Sequence, residues 1–237
     1  MNVLAFDATT AVASVALFQG DELLGEKTLA LGMKHSEILL PMAEELLLEH
    51  ALAFSEIDAY AVTVGPGSFT GVRIGTATVK GLAFGQSCPI AGVSALDALA
   101  ENLAGTEGIV IAAMDARRDE VYTATFRSYK DGRRERLCED RAIPARQLAE
   151  ELKNETLPIY AVGDGYTLLH RVFDACGVTL AETPVEKRGA SAASVGRVGL
   201  EKIRRGETVT DATLTPIYLR LPQAERERLE REAAMNQ

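Results

Sequence analysis

Apolar residues recur along this chain with a period that switches between two and about 3.6, and the switches mark its elements. Asn2 to Phe6 is a short apolar strand, Val12 to Phe18 alternates, Gly20-Asp21 supplies a two-residue turn, and Glu22 to Leu31 returns. That reads as strand, hairpin, strand. A helical period follows over His35 to Ala53, with Pro41 tolerable near the first turn or at a kink. On a helical wheel Leu39, Leu40, Met42, Ala43, Leu46, Leu47 and Ala51 cover ~180°, wider than the ~100° stripe one packed face needs. Two readings fit: a thoroughly buried core helix, or a helix whose apolar surplus meets a partner chain.

The strand Ile57 to Val64 runs into Gly65-Pro66-Gly67, after which Ser68 or Thr70 can cap a helix continuing to about Gly85. Gly67, Gly71 and Gly75 lie four apart, and Gly81 and Gly85 repeat the spacing. An interior glycine costs ~1 kcal/mol against alanine, so such a helix requires compensation from close backbone packing. Val72, Val79 and Ala83, with Ile74, Ala77 and Phe84 on other sides, predict burial by the parent sheet and by a second helix, while Arg73 and Lys80 share a polar stripe.

A brief strand, Ile90 to Val93, and a helix, Ser94 to Leu103, lead to a boundary at Gly105 to Gly108. A second start then appears. Ile109 to Met114 ends in Asp115-Ala116 as the first strand ends in Asp7-Ala8; Ala124 falls on Ala16, Phe126 on Phe18, and Tyr160-Ala161-Val162 echoes Tyr60-Ala61-Val62. Helices at Pro144 to Lys153, Tyr166 to Ala175 and Ser191 to Arg205 complete this half. The order predicts an α/β fold of two duplicated lobes, residues 1–104 and 105–222, whose aspartate-bearing turns face one another across a cleft. Residues 223–237 are charged and uncapped, expected as a surface helix or frayed tail.

Composition narrows the function. A net charge of −9 opposes unaided binding to a polyanion, so RNA, if involved, is expected on another subunit. The cluster Arg133, Arg134 and Arg136 follows Asp131-Gly132 and reads as a solvated hairpin or as an RNA patch. Cys88, Cys138 and Cys176 show no CxxC spacing. No apolar run reaches the ~18 residues of a membrane span, and Met1-Asn2 leads straight into a strand, so a cytoplasmic chain is expected.

Candidate chemistry gathers at the turns. Asp7, Thr9 and Thr10 with Gly65, Gly67 and Ser68 would offer backbone amides and a helix N-terminus to a phosphate, with Asp7 holding Mg²⁺ or its water. The alternative is a turn aspartate and a Gly-Pro turn, and Asp115, beside Arg117, Arg118, Asp119 and Glu120, shares that ambiguity. His35, His50 and His170 form no metal-binding pair, and no GxSxG elbow is present, so neither a metal site nor catalytic residues are expected.

Together D7-A-T-T, H35-S-E, G65-P-G-S-F-T-G-V-R-I-G, K80-G-L-A, D115-A-R-R-D-E-V-Y and T215-P-I-Y-L-R resemble the bacterial TsaB (YeaZ) family from Met1 to about Arg220. The resemblance implies the actin/sugar kinase/Hsp70 fold. It also implies a non-catalytic role beside the paralogue TsaD and the ATPase TsaE, in attaching threonylcarbamoyl to N6 of the adenosine next to the tRNA anticodon. TsaD would be held in a heterodimer, TsaE in a ternary complex, and tRNA only indirectly. A homodimer would form when the chain is alone. No cofactor of its own is implied, although ATP or ADP with Mg can enter the complex. The expected interface is the helix pair 35–53 and 70–85, through Leu39, Met42, Ala43, Leu46, Gly71, Arg73, Ile74, Gly75 and Lys80. TsaD-like chains carry an HxxxH metal pair after a Gly-Val step; here Ala95 and Leu99 follow Gly92-Val93 at that spacing. A small-molecule kinase of the same superfamily and a peptidase are the competing readings.

Overall fold

The apolar pattern is realised as two five-stranded sheets in a computed structural model that describes residues 1–30 and 34–220. In chain order the elements are β1 (Asn2–Asp7), β2 (Ala13–Gln19), β3 (Glu22–Leu29), α1 (His35–Glu49), β4 (Ala59–Gly65), α2 (Phe69–Ala83), β5 (Ile90–Ser94) and α3 (Ala95–Glu101). There follow β6 (Gly108–Asp115), β7 (Glu120–Ser128), β8 (Arg134–Arg136), β9 (Arg141–Pro144), α4 (Ala145–Glu151), β10 (Ile159–Val162), α5 (Tyr166–Ala175) and α6 (Ala192–Arg204). The first sheet runs β3-β2-β1-β4-β5. The second runs β10-β6-β7-β8, with β9 also paired to β7. In both, the opening strand pairs antiparallel with the next and parallel with a later one, which is the duplication expected.

The alignment between the halves is out by one residue in two places. Ala5 lies opposite Ala16 and Ala112 opposite Ala124, so the counterpart of Asp7 is Met114, and Asp115 is the residue after it. A one-residue slip moves a side chain to the other face of a sheet. Asp7 is accordingly buried and Asp115 exposed. Tyr60 and Tyr160 likewise face opposite sides: Tyr60 joins the core beneath α1 and α2, Tyr160 packs on the side of α3.

A cut at residue 104 does not separate the lobes, because two helices change sides. α3 comes from the first half but lays Leu96, Leu99 and Leu103 on Val110, Ala112, Ala124 and Phe126 of the second sheet. α6 comes from the second half but lays Ala192, Val195 and Val198 on Val3, Ala5, Ala16 and Ala61 of the first. The two helices pack against each other between the sheets. The sheet face under α6 is rich in alanine, and the helix approaches so closely that a Cβ on Gly196 would stand 2.1 Å from the Phe18 ring and one on Gly199 2.5 Å from the Ala61 methyl.

The chain after α6 crosses back over the first lobe as a strap that the apolar pattern did not predict. Val209 and Ile90 exchange backbone hydrogen bonds (2.8 and 3.0 Å), Leu214 is buried in the core beneath α1 and α2, and the Ile217 amide donates to the Val64 carbonyl at 2.7 Å. Arg220 then reaches the second lobe, donating to the Ala116 carbonyl at 3.2 Å and to the Glu120 carboxylate. Elsewhere the elements match the sequence pattern closely. α1 stops at Glu49 rather than Ala53, since Ala51 turns to φ 53°. The expected extension of β3 to Leu31, and the charged tail 223–237, lie outside the described residues.

Adding a methyl at Gly196 must move a wholly buried ring, so Gly196→Ala is expected to lower stability by ~1–3 kcal/mol despite better helix propensity. Gly81 in α2 has no atom within 4 Å of its missing Cβ, so Gly81→Ala should instead gain up to ~1 kcal/mol. Urea unfolding midpoints read both signs, and a stable Gly196→Ala protein would contradict the packing described.

Candidate functional site

Asp7 ends β1 at a junction where the two expected phosphate-binding segments meet, and the junction is closed by the chain itself. The carboxylate is 2% exposed. Its Oδ1 accepts hydrogen bonds from the Thr9 amide (2.8 Å), the Thr9 hydroxyl (2.7 Å) and the Thr63 hydroxyl (3.2 Å). Burial pushes the Asp7 carboxyl above the ordinary carboxylate range; the Thr9 and Thr63 hydrogen bonds and the nearby His35 act in the opposite direction.

The glycine loop presses on the same turn. Ser68 donates its amide to the Thr9 carbonyl at 2.7 Å and caps α2 by accepting from the Gly71 amide at 3.2 Å. A Cβ on Gly67 would lie 2.6 Å from the Thr9 carbonyl oxygen, and one on Gly71 only 1.9 Å from that of Ala8. Those glycines answer to the chain's own turn. Gly75 is looser, its missing Cβ standing 3.6 Å from Ala8 and Val62 side chains.

Asp7, Thr9, Gly67 and Ser68 are therefore brought together in a packed joint, whereas Gly65 abuts the Ile217 carbonyl of the strap. Thr10 accepts from the Val12 amide within its own turn (3.1 Å). Asp115, exposed, accepts from the Arg117 amide at 2.7 Å. The Ser68 amide is held by the Thr9 carbonyl and Asp7 Oδ1 by the two threonine hydroxyls, so these two groups are engaged within the chain. Gly163-Asp164-Gly165 is engaged likewise: the Gly163 amide donates to the Arg188 carbonyl at 2.7 Å, and both glycines abut Ala113. Ala95 and Leu99, at the spacing of the TsaD metal pair, are core residues of α3.

The helix pair also differs from expectation. Leu39, Met42, Ala43 and Leu46 are at most 3% exposed and pack with Leu4, Phe6 and Tyr60, so they form the chain's own core and not an interface. Gly71 and Gly75 are buried, and Ile74 is half-buried against the same core. Arg73 and Lys80 are engaged by the strap: Arg73 lies 3.8 Å over the Phe69 ring and donates to the Tyr218 hydroxyl at 2.9 Å, and the Lys80 ammonium donates to the Leu214 carbonyl at 3.1 Å. What the pair presents outward is a different set. Leu40 and Leu48 of α1 are 44% and 71% exposed, Phe84 at the end of α2 is 77% exposed, and Ala77 and Gly81 line the open side of α2. The wheel identified the apolar surplus; which arc turned inward was not legible without the sheet.

The family model of TsaD, tRNA N6-adenosine threonylcarbamoyltransferase, matches residues 30–227. The tRNA threonylcarbamoyladenosine biosynthesis protein TsaB of Bacillus subtilis (strain 168) is 32% identical over 95% of this chain and 96% of its own. That of Escherichia coli (strain K12) is 30% identical over 93% and 95%. Among solved structures, YeaZ from Pseudomonas aeruginosa superposes with a TM-score of 0.77 at 30% identity, covering 92% of this chain and 99% of that one. The two mixed lobes have the actin/sugar kinase/Hsp70 fold.

The Asp7 joint makes a signed prediction. Folding raises the carboxyl pKa, so the native state holds the proton more tightly than the unfolded chain; stability is greatest below the unfolded value and declines as pH rises through the folded one. Asp7→Asn removes the buried charge and keeps an acceptor, so it should be at least as stable as wild type at pH 7.5, with its advantage shrinking as pH is lowered. Asp7→Ala strands the Thr9 and Thr63 donors and should cost ~1–3 kcal/mol. Chemical denaturation at several pH values checks this; an Asn variant weaker by the same margin at every pH would contradict it.

Proposed function

Because the chain belongs to the TsaB (YeaZ) family of tRNA threonylcarbamoyladenosine biosynthesis proteins, we propose that it serves as the non-catalytic subunit of the modifying assembly. In this reading a TsaD homologue transfers the threonylcarbamoyl group to N6 of the adenosine beside the anticodon, with a TsaE homologue joining as a third member. The present chain docks on TsaD through the outward face of α1 and α2.

The observation that carries the reading is the set of large apolar side chains exposed on that pair, which on α1 stand among Glu37, Glu44, Glu45 and Glu49. Leu40, Leu48 and Phe84 are large, exposed and set on two helices that already pack on one sheet, while Ala77 and Gly81 leave room for a facing backbone. Large apolar side chains gathered on a surface point to a partner. The Asp7 joint supports the division of labour, since Oδ1 of its carboxylate is already committed to Thr9 and Thr63. Any nucleotide of the assembly is then held chiefly by its other members. Alone, the same face would pair with a second copy of the chain, since an apolar patch on a homo-oligomer is covered isologously.

Leu48→Glu combined with Phe84→Glu should leave the thermal midpoint within a degree or two, because both side chains are exposed. It should weaken binding to the TsaD homologue at least tenfold, since losing two central apolar anchors costs ~2 kcal/mol or more. Calorimetric titration, together with tRNA modification by TsaD and TsaE homologues in the presence or absence of the chain, is the test. Wild-type binding and full modification by the double variant would refute the docking face; modification independent of the chain would refute the function.

A further inference from the structure

The D115-A-R-R-D-E-V-Y segment is the one sequence motif that neither the joint at Asp7 nor the helix pair absorbs. It forms the turn between β6 and β7, and three successive residues, Arg117, Arg118 and Asp119, take positive φ (67°, 57° and 57°). Such backbone is uncommon for residues other than glycine and costs ~1 kcal/mol or more per residue. The conformation therefore calls for a reason in the side chains. Beside the turn lie two adjoining clefts of about 790 and 420 Å³ that share Arg118, Asp119 and Arg171. The larger also takes in Arg146 from α4 and an apolar floor of Pro144, Val172 and Ala175.

Two of the arginines at these clefts, which Asp115, Asp119 and Glu120 also line, are held by exposed partners. Arg117 is 87% exposed and stands 3.7 Å from Asp115; Arg171 and Asp119 are 68% and 76% exposed. Exposed pairs of this kind contribute ~0–1 kcal/mol and can be exchanged for a stronger anion. Arg146 has no carboxylate within ion-pair distance among the described residues. The other basic cluster behaves differently at two of its three arginines. Arg136 bridges Asp97 and Asp140 (2.8 and 2.6 Å), Arg134 pairs with Glu101 where both are 11% exposed, and Arg133 pairs with Asp131. Arg134 and Arg136 are neutralised by part-buried partners, whereas Arg133 and Asp131, 73% and 55% exposed, form a pair as open as that of Arg171 and Asp119.

We propose that Arg117, Arg118, Arg146 and Arg171 form a contact site for the phosphate backbone of the tRNA on which the assembly acts. Guanidinium groups match phosphate oxygens in pairs. No aromatic ring lines the clefts as a base-stacking platform, so the contact positions the RNA without reading its sequence. The net charge of −9 keeps the isolated chain from binding RNA well, so the site adds to affinity supplied by the rest of the assembly. The proposal rests on the assembly described above, and it makes the tRNA contact of this subunit direct.

The test uses the reconstituted assembly with full-length tRNA, wild-type chain against the Arg117→Ala, Arg146→Ala, Arg171→Ala triple variant, and tRNA affinity measured by fluorescence anisotropy across KCl concentrations. Each lost phosphate contact lowers the slope of log K against log salt by ~0.7–0.9, so a reduction of about 2 is expected, with at least tenfold weaker binding near 0.1 M salt. Arg136→Ala, whose guanidinium is already held between Asp97 and Asp140, should leave the slope unchanged. An assembly that forms normally with an unaltered slope overturns this proposal alone. So does a triple variant that loses a protein partner while the remaining complex keeps its slope, which would make the clefts a protein-docking site. A wild-type chain that fails to join the assembly overturns the functional reading as well.

Discussion

Everything in this molecule depends on the crossing of α3 and α6 between the two sheets. Each helix is supplied by one half of the chain and covers the sheet of the other, so neither sheet has both faces closed until both helices are in place. The hydrophobic term favours burying both faces at once, and the approach of Gly196 to Phe18 and of Gly199 to Ala61 fixes how near α6 lies to the first sheet. A lobe cut at residue 104 would keep its own strands and lose a helix from one side. Duplication made two similar sheets; exchange of helices made them one folding unit.

The strap extends that dependence. After α6, the chain pairs Val209 with Ile90, buries Leu214 beneath α2 and anchors Arg220 at Glu120 on the second lobe. It also takes over the cations of α2, because Arg73 and Lys80 point to Tyr218 and the Leu214 carbonyl. The free surface of α1 and α2 is consequently a remainder. It is what the sheet beneath and the strap alongside leave uncovered: Leu40 and Leu48 set among Glu37, Glu44, Glu45 and Glu49 on α1, and Ala77 and Gly81 on α2.

Much of this was legible in the sequence, and the failures share a cause. Strand and helix positions followed from period and from turn residues, since Gly20-Asp21, Gly65-Pro66 and Asp131-Gly132 punctuate the chain where the period changes. The duplication was legible as an order of elements. Identity matching then slipped by one residue at Asp115, because a turn one residue longer shifts the face without changing the local composition. Similarly, the glycines of α2 announced close packing but not its partner, and the partner at Gly71 is the Ala8 carbonyl in the same chain. The strap and the helix exchange were not legible, as both are contacts between distant segments whose local pattern is ordinary. Aspartate in a turn after an apolar strand has the same appearance whether it faces a cleft or Thr9 and Thr63.

That last ambiguity bears on the docking role proposed for this fold. The joint at Asp7 places a carboxylate, a glycine loop and a helix N-terminus together, and Asp7 Oδ1, the Ser68 amide and the Gly71 amide each have an internal partner. A site open to a ligand leaves donors exposed and permits the lobes to move as the ligand comes and goes. The Thr9 and Thr63 hydroxyls donating to Asp7, with the Ser68 amide donating to the Thr9 carbonyl, tie β1, β4 and α2 together at the root of the helix pair. The platform gains rigidity where a partner is proposed to bind, and a pre-organised surface loses less entropy on association than one that must order itself. On this view the retained aspartate and glycines are not relics of catalysis: they set the angle at which α2 leaves its sheet.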